Sequence, residues 1–262
     1  MINNELIHST AIIHPSAQLA DDVKVGAYSI IGPNVSIGTG TEVFSHVVIA
    51  ENTRIGQHNQ IFQFASVGER CQDLKYKGEE TWLEIGDYNV IREHSTLHRG
   101  TIQDQSLTKV GSHNLLMVNT HVAHDCVIGN HNVIANNVGI AGHVHMGDHI
   151  IIGGNSGIHQ FCRIDSYSMV GGASLIVKDV PAYVMVSGNP AHAHGMNYEG
   201  MRRKGWSKET IDGLKQAFKL VYRLNLTTQE AIEKITTEIL PTVPEVQLLL
   251  DSLQQTKRGI VR

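Results

Sequence analysis

Aliphatic side chains recur every six residues through the first two thirds of the chain, a period that neither an α-helix nor an ordinary β-strand has. One series keeps a single register, and a second follows after a shift of one residue. The first series is Ile7, Ile13, Leu19, Val25, Ile31, Ile37, Val43, Ile49, Ile55, Ile61, Val67, Ile85, Ile91 and Leu97. The second is Val110, Leu116, Val122, Ile128, Ile134, Ile140, Met146, Ile152, Ile158, Ile164, Val170 and Ile176. The repeat predicts a parallel β-helix in which each hexad forms one short strand and one turn.

Two further hexad positions have a restricted composition. The residue four places after the aliphatic is small or apolar in most hexads, as at Ala11, Ala17 and Val23, which suits a narrow triangular core with two inward positions per hexad. Glycine often follows the aliphatic residue, and we interpret it as a corner that needs a permissive backbone. Because the aliphatic series is unbroken and 41% of the residues are hydrophobic, a disordered glycine-rich repeat is excluded.

The six-residue repeat ends at Ile176, where turn-forming residues take over. Residues 178–181 and 187–190 contain proline, glycine, asparagine and aspartate, and we interpret them as a linker. The predicted fold is therefore mainly β, with a parallel β-helix over residues 1–190 and a small α-helical domain over residues 191–262.

Helix start signals mark the C-terminal domain. Ser207 precedes an apolar stripe with helical spacing and is expected to cap its helix. Thr227 with Glu230, and Thr242 with Glu245, have the spacing of capping boxes.

Composition limits the partners and the compartment. A net charge of −4 argues against a general nucleic-acid binder. The first ten residues lack the features of a signal peptide, and no apolar run is long enough for a membrane span, so we expect a cytoplasmic protein that is not an integral membrane protein. Cys71, Cys126 and Cys162 occupy the small inward position, and we interpret them as buried, reduced packing residues rather than disulfide or metal ligands.

Two interruptions of the repeat are candidate functional loops, because rigid scaffolds commonly present chemistry on loops. They span residues 68–84 and 98–109. Each is also compatible with a solvated excursion that carries ordinary charges.

The repeat predicts which side chains lie together. If three hexads form one coil, residues 18 apart stack on neighbouring coils about 4.8 Å apart. One column then contains His124, Gly142 and Gln160, and the next contains Asp125, His143 and Phe161. His121 and His159 lie beside these columns, so four histidines and an aspartate gather at one corner.

This corner has the groups that acyl transfer needs. A histidine next to an aspartate can act as general base at neutral pH. A glycine one coil away can direct a backbone N–H at a developing oxyanion. No serine or cysteine nucleophile is required if an acceptor hydroxyl attacks a thioester directly. The sequence therefore predicts His124 as base, Asp125 as its support and the Gly142 amide as oxyanion donor.

Six segments carry a family resemblance. They are 72–76 (Gln-Asp-Leu-Lys-Tyr), 98–101 (His-Arg-Gly-Thr), 119–126 (Asn-Thr-His-Val-Ala-His-Asp-Cys), 141–143 (Ala-Gly-His), 157–161 (Gly-Ile-His-Gln-Phe) and 197–200 (Asn-Tyr-Glu-Gly). In this order they resemble the UDP-N-acetylglucosamine 3-O-acyltransferase family, and the resemblance covers nearly the whole chain. The hexads alone would not separate this family from other hexapeptide acyltransferases.

The resemblance implies a left-handed parallel β-helix and a homotrimer with active sites between adjacent subunits. It also implies transfer of an (R)-3-hydroxyacyl group from acyl carrier protein to the 3-hydroxyl of UDP-N-acetylglucosamine (UDP-GlcNAc), the first step of lipid A synthesis. The enzyme would bind no cofactor of its own, because the donor carries its phosphopantetheine group on the carrier protein.

The resemblance also implies roles for individual residues. Gln72 lies in the matching loop, where Asp73 would recognise the acyl 3-hydroxyl and Lys75 would lie at the acyl and sugar site. Gly172 would form the floor of the acyl pocket, where glycine favours a relatively long acyl group. The residues expected to contact sugar, diphosphate or acyl chain are His121, His143, His159 and Gln160. Those expected at the nucleotide end are Asn197, Glu199, Arg203 and Lys204.

One departure and two alternatives stay open at this stage. Residues 202–204 read Arg-Arg-Lys where better-known members have Lys-Arg-Arg, and lysine lacks the bidentate geometry of arginine. This basic cluster is also compatible with docking of the acidic carrier protein. The alternative functions are another hexapeptide acyltransferase, such as the N-acyltransferase of the same pathway, and a γ-type carbonic anhydrase with zinc on His121, His124 and His143.

Overall fold

A computed structural model describes residues 6–262, and within them three parallel sheets wrap around one core. Successive hexads contribute to sheet 1, sheet 2 and sheet 3 in turn. Sheet 1 contains Ile12–Ile13, Ile30–Ile31, Val48–Ile49, Ser66–Glu69, Thr96–His98, His121–Val122, Gly139–Ile140, Gly157–Ile158 and Leu175–Ile176. Sheet 2 contains Gln18–Leu19, Ser36–Ile37, Thr53–Ile55, Trp82–Ile85, Leu107–Val110, Val127–Ile128, His145–Met146 and Arg163–Ile164. Sheet 3 contains Lys24–Val25, Glu42–Val43, Gln60–Ile61, Val90–Ile91, Leu115–Leu116, Val133–Ile134, Ile151–Ile152, Met169–Val170, Val184–Gly188 and Ala191–Met196.

The predicted inward positions form the core. Aliphatic residues from Val25 to Ile176 are buried, and so are small residues at the second inward position, such as Ser29 and Thr41. Cys71, Cys126 and Cys162 are buried and free, as the sequence predicted.

Coil length explains the two changes in the repeat. Most hydrogen-bonded neighbours on adjacent coils are 18 residues apart, as for Asn114 and Asn132. The separation becomes 30 residues across the first interruption and 25 across the second. Twelve extra residues equal two hexads and keep the register, whereas seven shift it by one. The excursions themselves are 70–81 and 99–106, because Trp82–Ile85 and Leu107–Val110 pair with each other as parallel strands.

The reason for the glycines differs from the sequence interpretation. Gly26, which follows an aliphatic residue, has no positive φ; instead, a Cβ there would lie 2.6 Å from the backbone nitrogen of Ser45 on the next coil. Close approach of successive coils therefore excludes a side chain. The left-handed corner positions are filled mostly by other residues, including Asn34 (φ 57°) and His58 (φ 53°).

The stretch interpreted as a linker continues the sheet, so that interpretation was wrong. Val184–Gly188 pairs in parallel with Met169–Val170 and antiparallel with Ala191–Met196. The resulting hairpin extends sheet 3. Its backbone hydrogen bonds fix the position of the helices that follow.

Helices complete the C-terminal part. Their bounds are Tyr198–Arg203 (α1), Lys208–Tyr222 (α2), Thr228–Lys234 (α3) and Gln247–Gln255 (α4), with a π-helical turn at Ile235–Ile239 and a 3₁₀ turn at Pro244–Val246. Ser207 caps α2, and the Thr227–Glu230 capping box of α3 is present, as predicted. The prediction of a Thr242–Glu245 capping box is wrong. The Thr242 hydroxyl donates to the Ile239 carbonyl, three residues earlier, and Pro244 begins the 3₁₀ turn that follows.

The helices pack on the last coils of the β-helix. The Tyr183 side chain is fully buried, and its hydroxyl donates to the Glu245 carbonyl at 2.7 Å. The Ser252 hydroxyl accepts from the Ala182 amide at 3.0 Å. One continuous apolar core therefore joins the two parts.

Candidate active site

A groove with a cavity of about 690 Å³ runs along the outer face of sheet 1. Its floor consists of the outward positions of four successive strands, occupied by His121, Gly139, Gly157 and Leu175. The excursion 70–81 forms one wall. The predicted site residues that line the groove are Gln72, Asp73, Lys75, His121, His124, Gly142, His159 and Gln160.

His124 and Asp125 form a hydrogen-bonded pair at the corner between sheets 1 and 2. The imidazole Nδ1 lies 2.8 Å from Asp125 Oδ2, and the Asp125 side chain is almost completely buried. Burial alone would raise the pKa of Asp125, but hydrogen bonds from His124 and Thr101 outweigh it and hold the pKa below its ordinary value. Asp125 is therefore ionised at neutral pH, and it holds the Nδ1–H tautomer of His124 with Nε2 free.

The second excursion supports this pair from below. Thr101 donates to both oxygens of Asp125, through its amide at 2.8 Å and its hydroxyl at 2.6 Å. The Thr108 hydroxyl accepts from the Asp125 amide at 2.7 Å. Sequence reasoning treated 98–109 only as a candidate substrate loop and missed these contacts, since the 25-residue coil removes Thr101 from the regular 18-residue columns.

His143 belongs to a second pair on the next coil. Its Nδ1 lies 2.9 Å from Asp104 Oδ2, and its ring stands edge-to-face against His124 with centroids 5.1 Å apart. The other face of the ring stacks on Phe161 at 4.4 Å. The columns predicted from the repeat are therefore present, and Asp104 is a further carboxylate that sequence analysis did not single out.

Gly142 lies against the free edge of the His124 ring. A Cβ at this position would be 2.6 Å from His124 Cε1 and 2.7 Å from Nε2. Its carbonyl accepts from the Phe161 amide, whereas its own N–H has no acceptor within residues 6–262. A free amide beside a free imidazole nitrogen can donate to an oxyanion while the base removes a proton.

Two neighbouring histidines, His121 and His98, are neutral at pH 7. Burial, followed by the repulsion that a second cation beside His124 would meet, lowers the pKa of His121. The His121 Nδ1 lies 2.8 Å from the Thr96 hydroxyl. Burial and His121 lower the pKa of His98 to about 4. Neither ring therefore competes with His124 as a charged group, and both offer neutral hydrogen-bonding groups to a ligand.

The thiol near this site is not activated. Burial raises the pKa of Cys71, and the nearby carboxylates of Asp73 and Asp125 add to that shift. A thiolate nucleophile is therefore disfavoured here.

Seven predicted residues do not line this groove: Asp125 and His143 lie beside it in the pairs described above, and five lie elsewhere. Gly172 is exposed at the corner between sheets 3 and 1, and the other four begin or follow α1. Within the chain, Asn197 caps α1 by accepting from Gly200 and donates to the Tyr167 carbonyl. Glu199 pairs with Arg202, while Arg203 and Lys204 are exposed. A single chain thus separates the acyl-transfer corner from the proposed nucleotide residues.

One cluster in residues 6–262 has the composition of a metal site. It consists of His124, Asp125 and His143, whose ligand atoms lie within 4.8 Å of one another. His121, which the carbonic anhydrase alternative requires, is not in this cluster.

No helix in the described part of the chain is long and apolar enough to cross a membrane.

Comparisons with known proteins assign both parts of the chain to one family. Residues 179–261 match the model described as UDP N-acetylglucosamine O-acyltransferase, domain 2. Residues 6–39 and 107–142 match the bacterial transferase hexapeptide model. The acyl-[acyl-carrier-protein]–UDP-N-acetylglucosamine O-acyltransferase of Psychrobacter sp. (strain PRwf-1) is 62% identical over 256 residues, which are 98% of this chain and 99% of that protein.

Solved structures agree over the same length. The structure of LpxA from Acinetobacter baumannii is 72% identical, with a TM-score of 0.97 over 98% of this chain and 100% of that chain. UDP-N-acetylglucosamine O-acyltransferase from Moraxella catarrhalis RH4 is 62% identical, with the same TM-score and coverage. The fold is the left-handed parallel β-helix with a small helical part that the sequence predicted.

Proposed function

The chain belongs to the UDP-N-acetylglucosamine O-acyltransferase family, and we propose that it transfers an (R)-3-hydroxyacyl group from acyl carrier protein to UDP-GlcNAc in the first step of lipid A biosynthesis. One observation carries the chemistry: the His124–Asp125 pair leaves Nε2 free beside the unpaired amide of Gly142. The carbonic anhydrase alternative is abandoned, since neither the family nor the histidine cluster supports it.

The reaction follows from this geometry. His124 Nε2 removes the proton of the sugar 3-hydroxyl as the oxygen attacks the thioester carbon. Asp125, ionised and buried, stabilises the resulting imidazolium without taking its proton. The Gly142 N–H donates to the tetrahedral oxyanion. The C–S bond then breaks, and the proton on His124 passes to the leaving thiolate.

The groove residues have complementary roles in this proposal. Asp73 accepts from the 3-hydroxyl of the acyl chain, with Gln72 beside it, and Lys75 lies at the junction of acyl chain and sugar. The neutral ring of His121 contacts the sugar and acyl portions together with His159 and Gln160. His143, held by Asp104, supports His124 from the next coil.

Replacement of His124 by alanine tests the base assignment. We expect kcat to fall at least about a hundredfold, the usual scale for loss of general-base catalysis. The assay combines UDP-GlcNAc with hydroxyacyl carrier proteins of several chain lengths, and the exposed His131→Ala variant is the control. Near-normal activity of the folded His124→Ala protein would refute the assignment.

We propose that the active enzyme is a homotrimer with a site shared between two subunits. The outward positions of sheet 3 support this, because five successive ones form an apolar stripe, whereas those of sheet 2 are mostly charged or polar. The stripe comprises Val90, Leu115, Val133, Ile151 and Met169. Leu74, at the tip of the first excursion, is fully exposed. A second copy covers both surfaces and brings Gly172, Asn197, Glu199, Arg203 and Lys204 to the groove of the first.

Subunit mixing tests the shared site directly. His124→Ala and Arg203→Ala disable different halves, so mixed trimers contain some grooves in which both functional halves meet. We expect each pure variant to be nearly inactive and co-refolded mixtures to regain up to about a quarter of wild-type activity, because random assembly of equal amounts pairs two intact halves in about one interface in four. A mixture that stays as inactive as its components, despite confirmed subunit exchange, would contradict the arrangement.

We propose the cytoplasm as the compartment. The free state of the three buried cysteines supports it, since thiols stay reduced there. The acyl group arrives on the phosphopantetheine arm of the carrier protein, so the enzyme itself needs no cofactor and no metal.

A further inference from the structure

A second cavity of about 350 Å³ lies on the sheet 2 side of the catalytic corner, opposite the groove. His143 and Phe161 form the wall between them. Since His143 touches His124 on the other side, a ligand in this cavity lies one side chain from the proposed base.

Three permanent cations line the cavity, namely Arg163, Lys257 and Arg258. The Arg163 side chain pairs with Asp165 through Nη2 at 3.2 Å, but its Nε is buried and has no partner. Lys257 and Arg258 are exposed at the rim and form no salt bridge within residues 6–262. The Arg258 Nε donates to the Val177 carbonyl at 3.4 Å. Guanidinium and ammonium donors that face one space and are only partly engaged favour a phosphate or carboxylate ligand.

The acidic groups of the cavity are already engaged. Asp104 faces His143. The buried Asp179 accepts from the Arg163 amide, the Thr256 hydroxyl, and the amides of Lys257 and Arg258. Because these last contacts are made by the backbone, the Lys257 ammonium and the two terminal nitrogens of Arg258 remain available for a ligand.

His145 adds an uncharged hydrogen-bonding group to the same wall. Burial and the Arg163 charge lower its pKa, so the ring is neutral at pH 7. A neutral imidazole next to three cations can complete the hydrogen bonding of an anion.

We propose that this cavity binds the phosphate of the donor's phosphopantetheine arm while the thioester lies at Gly142. The inference rests on the proposed function, which provides two phosphate-bearing substrates. The residues proposed for the nucleotide lie around α1, on a different part of the surface, so the donor phosphate is the one left without a site. A cationic cavity across a single ring from the reacting atoms provides that site.

The test compares two small donors that differ only in the phosphate, hydroxyacyl-4′-phosphopantetheine and hydroxyacyl-pantetheine. The Lys257→Gln/Arg258→Gln variant retains the backbone contacts to Asp179, and Arg163→Gln is a second, independent variant. The control is Lys215→Gln, an exposed charge on α2. We expect the KM for the phosphorylated donor to rise about tenfold in both site variants, the scale of one lost charge-assisted hydrogen bond. The KM values for the unphosphorylated donor and for UDP-GlcNAc should stay unchanged.

Each other outcome overturns the proposal. A rise in the KM for UDP-GlcNAc would assign the cavity to the nucleotide diphosphate. A rise seen only with the intact carrier protein would assign it to the acidic protein surface, and equal effects on both small donors would remove any role for phosphate. Unchanged kinetics would show that the cavity binds no substrate. Failure of the proposed function is distinct, because the wild-type enzyme would then be inactive with every donor.

Discussion

Replacement of Gly142 by alanine is the sharpest test of the catalytic corner. The added methyl carbon would lie 2.6 Å from His124 Cε1 and 2.7 Å from Nε2, whereas ordinary contacts begin at about 3.4 Å. The imidazole must therefore move by about 0.8 Å, the difference between 3.4 and 2.6 Å. The backbone N–H is kept, so the substitution displaces the base without deleting the oxyanion donor.

A displacement of that size predicts a large kinetic effect. Misplacement of a catalytic group by about 1 Å can cost about a hundredfold in rate, so we expect kcat for Gly142→Ala to fall by about 30- to 100-fold. The assay is steady-state transfer to UDP-GlcNAc at saturating hydroxyacyl carrier protein, with thermal unfolding measured on the same preparation.

A matched glycine provides the control. A Cβ on Gly195, in the last strand of sheet 3, meets no atom within 4 Å, and we expect Gly195→Ala to retain kcat within about twofold. If Gly142→Ala keeps kcat within threefold while folded, the His124 ring is not held where the structure puts it, and the reasoning fails.

The remaining predictions concern stability and chain length. Thr101→Val removes one hydrogen bond that lowers the pKa of Asp125. A carboxylate with a lowered pKa stabilises the fold above its ordinary pKa of about 3.9 and ceases to do so as the pH falls through the pKa of the folded state. Urea unfolding should therefore show that the variant loses about 1.5 kcal/mol of unfolding free energy at pH 6, and that this loss shrinks below pH 4. A loss independent of pH would contradict this. Asn114→Ala deletes three buried side-chain hydrogen bonds between coils and should cost about 3 kcal/mol in the same measurement, against at most about 0.5 kcal/mol for the exposed Asn136→Ala control. Gly172→Met should shift the preferred donor to shorter acyl chains. The melting temperature should not fall, because a Cβ at this position comes no closer than 3.4 Å to Gly154. An unchanged preference for acyl chain length would show that Gly172 is not part of the acyl pocket.

Much of the site was predictable because the repeat acts locally. Once three hexads form a coil, an 18-residue spacing places Gly142 beside His124 and His143 beside Asp125 without further information. Where the coil length changes, that arithmetic stops. Thr101 and Asp104 therefore came into view only in the structure, although both contact residues that the sequence had singled out.

Two wrong predictions from the sequence, the glycine corners and the linker, also arise from contacts between coils or strands. The glycines after the aliphatic positions indicated a corner, but apart from Gly68 (φ 82°) they have no positive φ, and contact with the next coil explains them. The turn-rich residues 187–190 indicated a linker, but they form the tip of a hairpin that extends sheet 3 by hydrogen bonding to the neighbouring strand Met169–Val170. A pattern along one chain does not record the atoms that a different coil brings against it.

The sequence by itself determined the β-helix, its inward residues and the histidine corner, since these depend on a period that each hexad repeats. Only the tertiary structure decided which carboxylates hold which imidazoles, that the Gly142 amide is free, and that the nucleotide residues lie away from the groove. It also showed the cationic cavity behind His143, where Arg163 and the Lys257–Arg258 pair come from distant parts of the chain. Such contacts depend on the length of each excursion and on how the C-terminal segment packs, and no local period specifies either.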